Sequence, residues 1–292
     1  MKNQSSRVSL LLTAMLGCGI LAAPLSAATL LNDGFDNGSI GPQSLPDTAQ
    51  WYGSTSDNVT ASTGSMTLST AGGTTSGLVT AYFTDSGTVS LNSGETLTLS
   101  FVFSVTGVDS SVGYFRFGLF DSGGSRLTEQ GQGAANSLFN NYSGYATLTN
   151  LDSDGSNIGL NKRDNLPNNA LLGTTSAYSS LGSTGANFTL ENNTTYTSTL
   201  TLTYTGTSII MTQSITGGSL SGITHTLIDD SGSLFTEFDT VAISIQSAAA
   251  NTITFDNINV SVIPEPAASS FIMTVLILGA LAIGRSRFKR RG

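Results

Sequence analysis

Cysteine, histidine and positive charge are almost missing from this sequence, and each absence removes a class of function. The one cysteine, Cys18, lies within the first 28 residues, ahead of everything that reads as a folded domain. The domain that follows therefore has no disulfide and no thiol chemistry, and its stability must come from burial and hydrogen bonding. The one histidine, His225, cannot by itself supply a Ser-His-Asp triad or a His-rich zinc site. Basic residues are confined largely to the two ends. Between Thr29 and Ile263 stand 18 acidic residues against 4 basic ones, Arg116, Arg126, Lys162 and Arg163, a formal net charge of −14. Nucleic acid is excluded as a partner, because phosphate neutralisation needs clustered Lys and Arg. No long stretch has a helical hydrophobic period, no repeat is evident, and no linker divides the chain.

What is present begins with an export signal. Lys2 and Arg7 precede the uncharged run Val8 to Ala23, and Pro24 leads into Ser26-Ala27-Ala28. Residues 1–28 read as a signal peptide cut after Ala28 by signal peptidase, since the run is short for a membrane anchor and ends in a small-residue site. Met15-Leu16-Gly17 ahead of Cys18 makes a poor lipobox.

The opposite end, residues 263–292, carries three features in order. Val262-Ile263-Pro264-Glu265-Pro266 places two prolines where neither a strand nor a helix can run through. Residues 267–284 hold no charge and, as a single transmembrane helix, would extend roughly 27 Å, enough to cross a bilayer core. Arg285, Arg287, Lys289, Arg290 and Arg291 follow in the tail, 285–292, a stop-transfer cluster that holds this end in the cytoplasm. The series of motif, apolar helix and basic tail resembles the PEP-CTERM sorting signal of bacterial exosortase substrates. That resemblance implies recognition by an exosortase at Pro264, Glu265 and Pro266, a membrane-anchored intermediate, removal of the helix and tail, and transfer to the cell surface or extracellular polymer. The alternative on hydropathy alone is a permanent single-span anchor.

Between these signals, residues 29–262 read as one all-β domain. Strands are predicted over 65–69, 78–83, 95–105, 114–120, 145–151, 195–204, 208–215, 224–228, 240–246 and 252–262. Alternation is clearest in Thr96 to Val105, where odd positions are apolar and even ones mostly carry hydroxyls, so one face packs inward and the other meets water. The same reading is given to Ser198–Tyr204 and Val241–Ile245. Gly206 between Tyr204 and Ile209 predicts a hairpin over 196–215. Short strands and Gly-rich turns favour a two-sheet antiparallel sandwich. Tyr114-Phe115-Arg116-Phe117-Gly118-Leu119-Phe120, the hairpin at Gly206, Phe238 to Ile243 and Ile253 to Val260 resemble strands of concanavalin A-like or laminin-G-like jelly rolls. The resemblance implies a jelly roll whose first and last strands lie together, pairing 28–35 with 255–262, and a surface able to hold sugar.

Candidate chemistry is sparse. His225 alternates with Ile223 and Leu227 and reads as structural. Glu237-Phe238-Asp239 has the Glu-x-Asp opening of jelly-roll glucanase motifs, but Thr240, Val241 and Ala242 follow where a further Glu belongs, which argues against hydrolysis. No cofactor is implied. The one metal candidate is calcium at Asn150, Asp152 and Asp154, whose alternate oxygen side chains precede Gly155; the twelfth position is Asn161 in place of a bidentate Glu, and an ordinary turn is the competing reading. Trp51 and Tyr52 are the rings to test for stacking on sugar, with core packing the competing role for Trp51. The reading that uses every strong feature is a non-catalytic surface or matrix protein associated with extracellular polysaccharide. The alternative is a lectin-like carbohydrate-binding module, which needs an exposed aromatic or Asx-lined groove; a glycoside hydrolase is the third.

Overall fold

The computed structural model describes residues 26–264 apart from 56–57, 71–76, 109–112, 152–154 and 247–249. The described residues form seventeen strands: β1 (Ala28–Asp33), β2 (Trp51–Gly53), β3 (Val59–Ser62), β4 (Ser65–Ser69), β5 (Gly77–Tyr82), β6 (Val89–Ser90), β7 (Thr96–Thr106), β8 (Gly113–Asp121), β9 (Ser143–Leu151), β10 (Asn157–Arg163), β11 (Tyr178–Ser180), β12 (Thr195–Tyr204), β13 (Ile209–Gly217), β14 (Leu220–Asp229), β15 (Glu237–Phe238), β16 (Thr240–Ile245) and β17 (Thr252–Ile263). One 3-10 turn, Ser137–Asn141, is capped by the Asn136 side chain.

Two antiparallel sheets make a jelly-roll sandwich. The eight-stranded sheet runs β14-β13-β12-β7-β17-β4-β3, and β1 pairs with β17; the seven-stranded sheet runs β11-β10-β9-β8-β16-β5-β2. First and last strands do lie together, with Ala28 opposite Val262 and Asp33 opposite Ile258. The predicted hairpin is present as β12–β13, closed by Tyr204 opposite Ile209.

The two sheets bury their faces differently. In β7 the pattern alternates strictly along all eleven residues, with Leu97, Leu99, Phe101, Phe103 and Val105 inward. Phe101 meets Phe117 of the facing sheet edge-on at 4.9 Å, and Phe103 meets Phe115 at 5.4 Å, geometries aromatic rings prefer. The outer face of this sheet is lined by hydroxyls that pair across strands, Thr96 with Thr203, Thr67 with Thr254 and Thr106 with Thr252. In the seven-stranded sheet, by contrast, β5 and β16 are buried at every residue. The half-exposed reading of Val241–Ile245 is therefore corrected: both faces of β16 are covered. A second apolar cluster explains it. Leu78, Tyr82, Phe120, Ala146 and Ala242 on the outer face lie under Leu127, Phe139 and Tyr142 of the β8–β9 connection and Leu171, Leu172 and Ala177 of the β10–β11 connection.

Candidate functional site

An open concavity lies on the eight-stranded sheet. It is a shallow trough of about 250 Å³ lined by Asn32, Ser100, Val102, Thr197, Asn257 and Asn259, with Phe101 in its floor. Four strands contribute. Asn32 of β1 sits opposite Asn259 of β17, Asn259 opposite Ser100 of β7, Asn257 opposite Val102, and Val102 opposite Thr197 of β12. The trough forms where β17 changes neighbours. Its one edge is paired throughout with β7, whereas its other edge is shared by β4, over Thr252 to Phe255, and β1, over Ile258 to Val262. A bulge separates the two stretches: Asp256 and Asn257 are both exposed, and alternation resumes one residue late with Ile258 inward.

Chemically the trough is amide and hydroxyl with one apolar patch. The Asn259 amide donates to Asn32 Oδ1 at 3.3 Å. Carboxamides offer both donors and acceptors, which matches the dual character of sugar hydroxyls, and Val102 supplies a small apolar contact. The lining carries no ionic charge and no exposed ring.

The residues singled out from the sequence fall elsewhere. Trp51 is fully buried: its ring packs on Phe35 at 6.0 Å and its indole N–H donates to Asp33 Oδ2 at 2.8 Å. Stacking on sugar by Trp51 is thereby corrected, since the ring belongs to the core. Tyr52, on the opposite face of β2, is half-buried with its ring 5.8 Å from that of Tyr82, and burial pushes its phenol upward. Neither residue borders the trough. Asn150 is paired in β9 opposite Asn157, while Asp152 and Asp154 lie outside the described residues. Asn161 is in the return strand β10. Among the described residues no group of three metal-binding side chains occurs. Pro264 directly follows β17; Glu265, Pro266, the helix 267–284 and Arg285, Arg287, Lys289, Arg290 and Arg291 lie outside the described residues, as does most of the leader. No described helix is long and apolar enough to cross a membrane.

The Glu-x-Asp motif is taken up by structure. Asp239 is buried and accepts from the Ser122 N–H at 2.9 Å, the Ser122 hydroxyl at 2.6 Å and the Arg126 guanidinium at 3.0 Å. Glu237 is exposed at the small β15–β6 pairing. His225 shares its face with Ile223 and Leu227, as its alternation implies, and its Nε2 lies 2.9 Å from the Ser183 carbonyl.

The other basic residues serve the interior, which sequence reasoning did not anticipate. Lys162 reaches from the seven-stranded sheet to Asp229 of the eight-stranded one, Nζ to Oδ2 2.9 Å, and Tyr145 donates to the same carboxylate at 2.8 Å. Burial alone would raise the Asp229 carboxyl, but hydrogen bonds from Ser231, Lys162 and Tyr145 outweigh it and hold the group below its ordinary value. Arg163, fully buried, donates to the carbonyls of Tyr142, Phe139 and Asn168, clamping both loops over the seven-stranded sheet. Desolvation lowers its pKa, partly offset by Tyr178 and Tyr142. Tyr82 donates to or accepts from Tyr142 at 2.8 Å beneath these loops, and burial pushes Tyr82 up to about 12.

No family model and no curated protein matches the sequence. Solved structures do resemble the fold. The carbohydrate recognition domain of Emp47p aligns at TM-score 0.50 with 10% identity, over 84% of this chain and 100% of that domain. Basic winged bean lectin, solved with Tn-antigen, aligns at 0.47 with 14% identity over 81% and 98% of the two chains. A carbohydrate esterase of the Shiga toxin-encoding bacteriophage phi24B aligns at 0.43 with 17% identity over 82% and 100%. The Emp47p likeness and the strand order together establish the fold of this chain as a lectin-like jelly-roll sandwich.

Proposed function

We propose that the protein is an exported, non-catalytic carbohydrate-binding protein that holds neutral polysaccharide in the trough of its eight-stranded sheet. The observation that carries this reading is the trough's lining: Asn32, Asn257, Asn259, Ser100 and Thr197 present amides and hydroxyls, and no charged side chain lines it. The fold shared with the Emp47p carbohydrate recognition domain supports the same class of ligand by analogy. A non-catalytic role is supported by the involvement of Asp239 in structural hydrogen bonds, which leaves Glu237 as a single exposed carboxylate where a glucanase-type pair needs two. In affinity electrophoresis through gels cast with neutral polysaccharides, the purified protein is retarded by at least one of them, and Asn257→Ala with Asn259→Ala abolishes the retardation without shifting thermal unfolding. Equal migration of wild type and double variant in every gel would overturn the assignment to the trough.

Delivery belongs to the ends of the chain. The signal peptide and the PEP-CTERM-like tail place the domain outside the inner membrane and then release it to the surface or the extracellular matrix, where affinity for polysaccharide retains it. Intact mass of the protein from its own host tests this. The mature product lacks the residues after Pro264-Glu265-Pro266, and Glu265→Ala stays full-length in the membrane fraction; an uncut wild-type chain in that fraction would leave a permanently anchored protein instead.

A further inference from the structure

The trough is one end of a longer polar track. Strand register carries the row of Asn32 and Asn259 straight across the eight-stranded sheet: Asn259 of β17 stands opposite Ser100 of β7, Ser100 opposite Thr199 of β12, Thr199 opposite Ser214 of β13, and Ser214 opposite Thr224 of β14. Each of these side chains points away from the core, because its strand alternates and the residues on either side of it face inward. Six strands at about 4.8 Å from one to the next make a row of about 24 Å, and none of its six residues carries a charge. The hydroxyls distinguish this row from the two nearer the β12–β13 turn. There they are taken up by one another, Thr212 with Thr226 at 2.9 Å and Thr96 with Thr203 at 2.8 Å. Those of Ser100, Thr199, Ser214 and Thr224 bond to no other residue among the described ones, and all four residues are half-buried or exposed.

A free hydroxyl is donor and acceptor at once, as a sugar hydroxyl is, and the row repeats that group at every strand. The repeat of a linear glycan is close to one strand spacing, so successive sugars meet successive strands. We infer that the ligand is a single neutral polysaccharide chain lying across the strands from β1 to β14, about one sugar per strand, and not a chain end or a lone sugar held in the trough. This rests on the reading of the trough as a sugar site and extends it over the sheet. Strands turn by roughly 20° from each to the next, so the row is wound; a free chain follows such a path, whereas the flat face of a crystalline fibre meets only part of it. No aromatic side chain stands in the row to stack on sugar. Each contact is therefore weak by itself, and affinity accumulates with the number of sugars engaged.

Affinity electrophoresis in gels cast with mixed-linkage β-glucan, arabinoxylan, glucomannan or dextran selects a retarding polymer, and oligosaccharides of two and six units cut from it are then titrated into the protein by calorimetry. The six-unit chain binds at least about tenfold more tightly than the two-unit one. Thr199→Val with Ser214→Ala removes two hydroxyls outside the trough; it weakens the six-unit chain at least about fivefold and leaves the two-unit affinity unchanged. Thr212→Val with Thr226→Val, on the row whose hydroxyls already bond to each other, changes neither affinity. All these positions face outward, and thermal unfolding of each variant at the wild-type temperature confirms that only the surface has changed. Equal affinity for two and six units, or a six-unit affinity untouched by Thr199→Val with Ser214→Ala, overturns the extended track while the trough, tested through Asn257 and Asn259, still stands. Absence of retardation in every gel overturns both readings.

Discussion

Asp33 shows how much one side chain organises near the start of the domain. It is buried at the end of β1, where its carboxylate accepts from the Phe35 N–H at 2.9 Å, the Ala49 N–H at 3.3 Å and the Trp51 indole at 2.8 Å. Phe35 is held at φ 56°, a left-handed conformation that costs a non-glycine residue about 1 kcal/mol and persists only where surroundings impose it. Here the imposing contacts are the bond from its N–H to Asp33, the bonds its carbonyl accepts from Gly38 and Gly64, and its ring on Trp51. Asp33→Ala leaves several buried donors without an acceptor at once and is expected to lower unfolding stability by about 3 kcal/mol, read as a shift of the urea midpoint at unchanged slope. Asp33→Asn, which keeps one acceptor oxygen, loses less. A midpoint equal to wild type in Asp33→Ala would mean that water replaces the carboxylate and that the core at Trp51 does not depend on it. The same residues mark a limit of sequence reading, because nothing in Trp51-Tyr52 distinguishes a ring bonded to a distant aspartate from one exposed to ligand.

At the level of strands, legibility followed burial. Strands buried on one face, such as β7 and β12, show their period of two in the sequence and are legible nearly to their ends. β10 is not legible because Asn161-Lys162-Arg163 looks like a polar loop; its charges are consumed inside, by Asp229 across the sandwich and by the carbonyls of the covering loops. The short strands β2, β6, β11 and β15 are two or three residues each, too brief for any period; β2 and β11 exist because β5 and β10 offer them edges, and β6 and β15 pair with one another. The trough is the instructive case. Its bulge is visible in Phe255-Asp256-Asn257-Ile258, where two polar residues separate apolar ones that should alternate, a phase slip that signals a bulge. What the sequence cannot supply is that Asn32, 227 positions away, comes to lie against Asn259 there.

At the scale of the whole domain, the decisive arrangement is that its four cations are buried or covered while, among the described residues, most of the anions other than Asp33, Asp229 and Asp239 remain at the surface. Arg116, Lys162 and Arg163 are buried, and Arg126 is largely covered by its contacts to Asp239, Thr84 and Gly87. With 18 acidic residues against 4 basic between Thr29 and Ile263, and the four cations buried or covered, the solvent-facing charge among the described residues is mostly negative. Such a surface keeps the protein soluble and repels polyanions, but it also loads the folded state with self-repulsion. Added salt relieves that repulsion without weakening the Lys162–Asp229 pair, which is shielded from ions by burial. Between about 0.01 M NaCl, where charges are felt over about 30 Å, and about 1 M, where they are felt over about 3 Å, the protein should therefore gain stability. A gain of about 1 kcal/mol corresponds to a rise of about 2–4 °C in Tm for a domain of this size. Thermal unfolding followed by circular dichroism across that range reads it directly. A Tm that falls with salt would show that attractive surface pairs outweigh the repulsion, and that the cations are more available to solvent than their contacts imply.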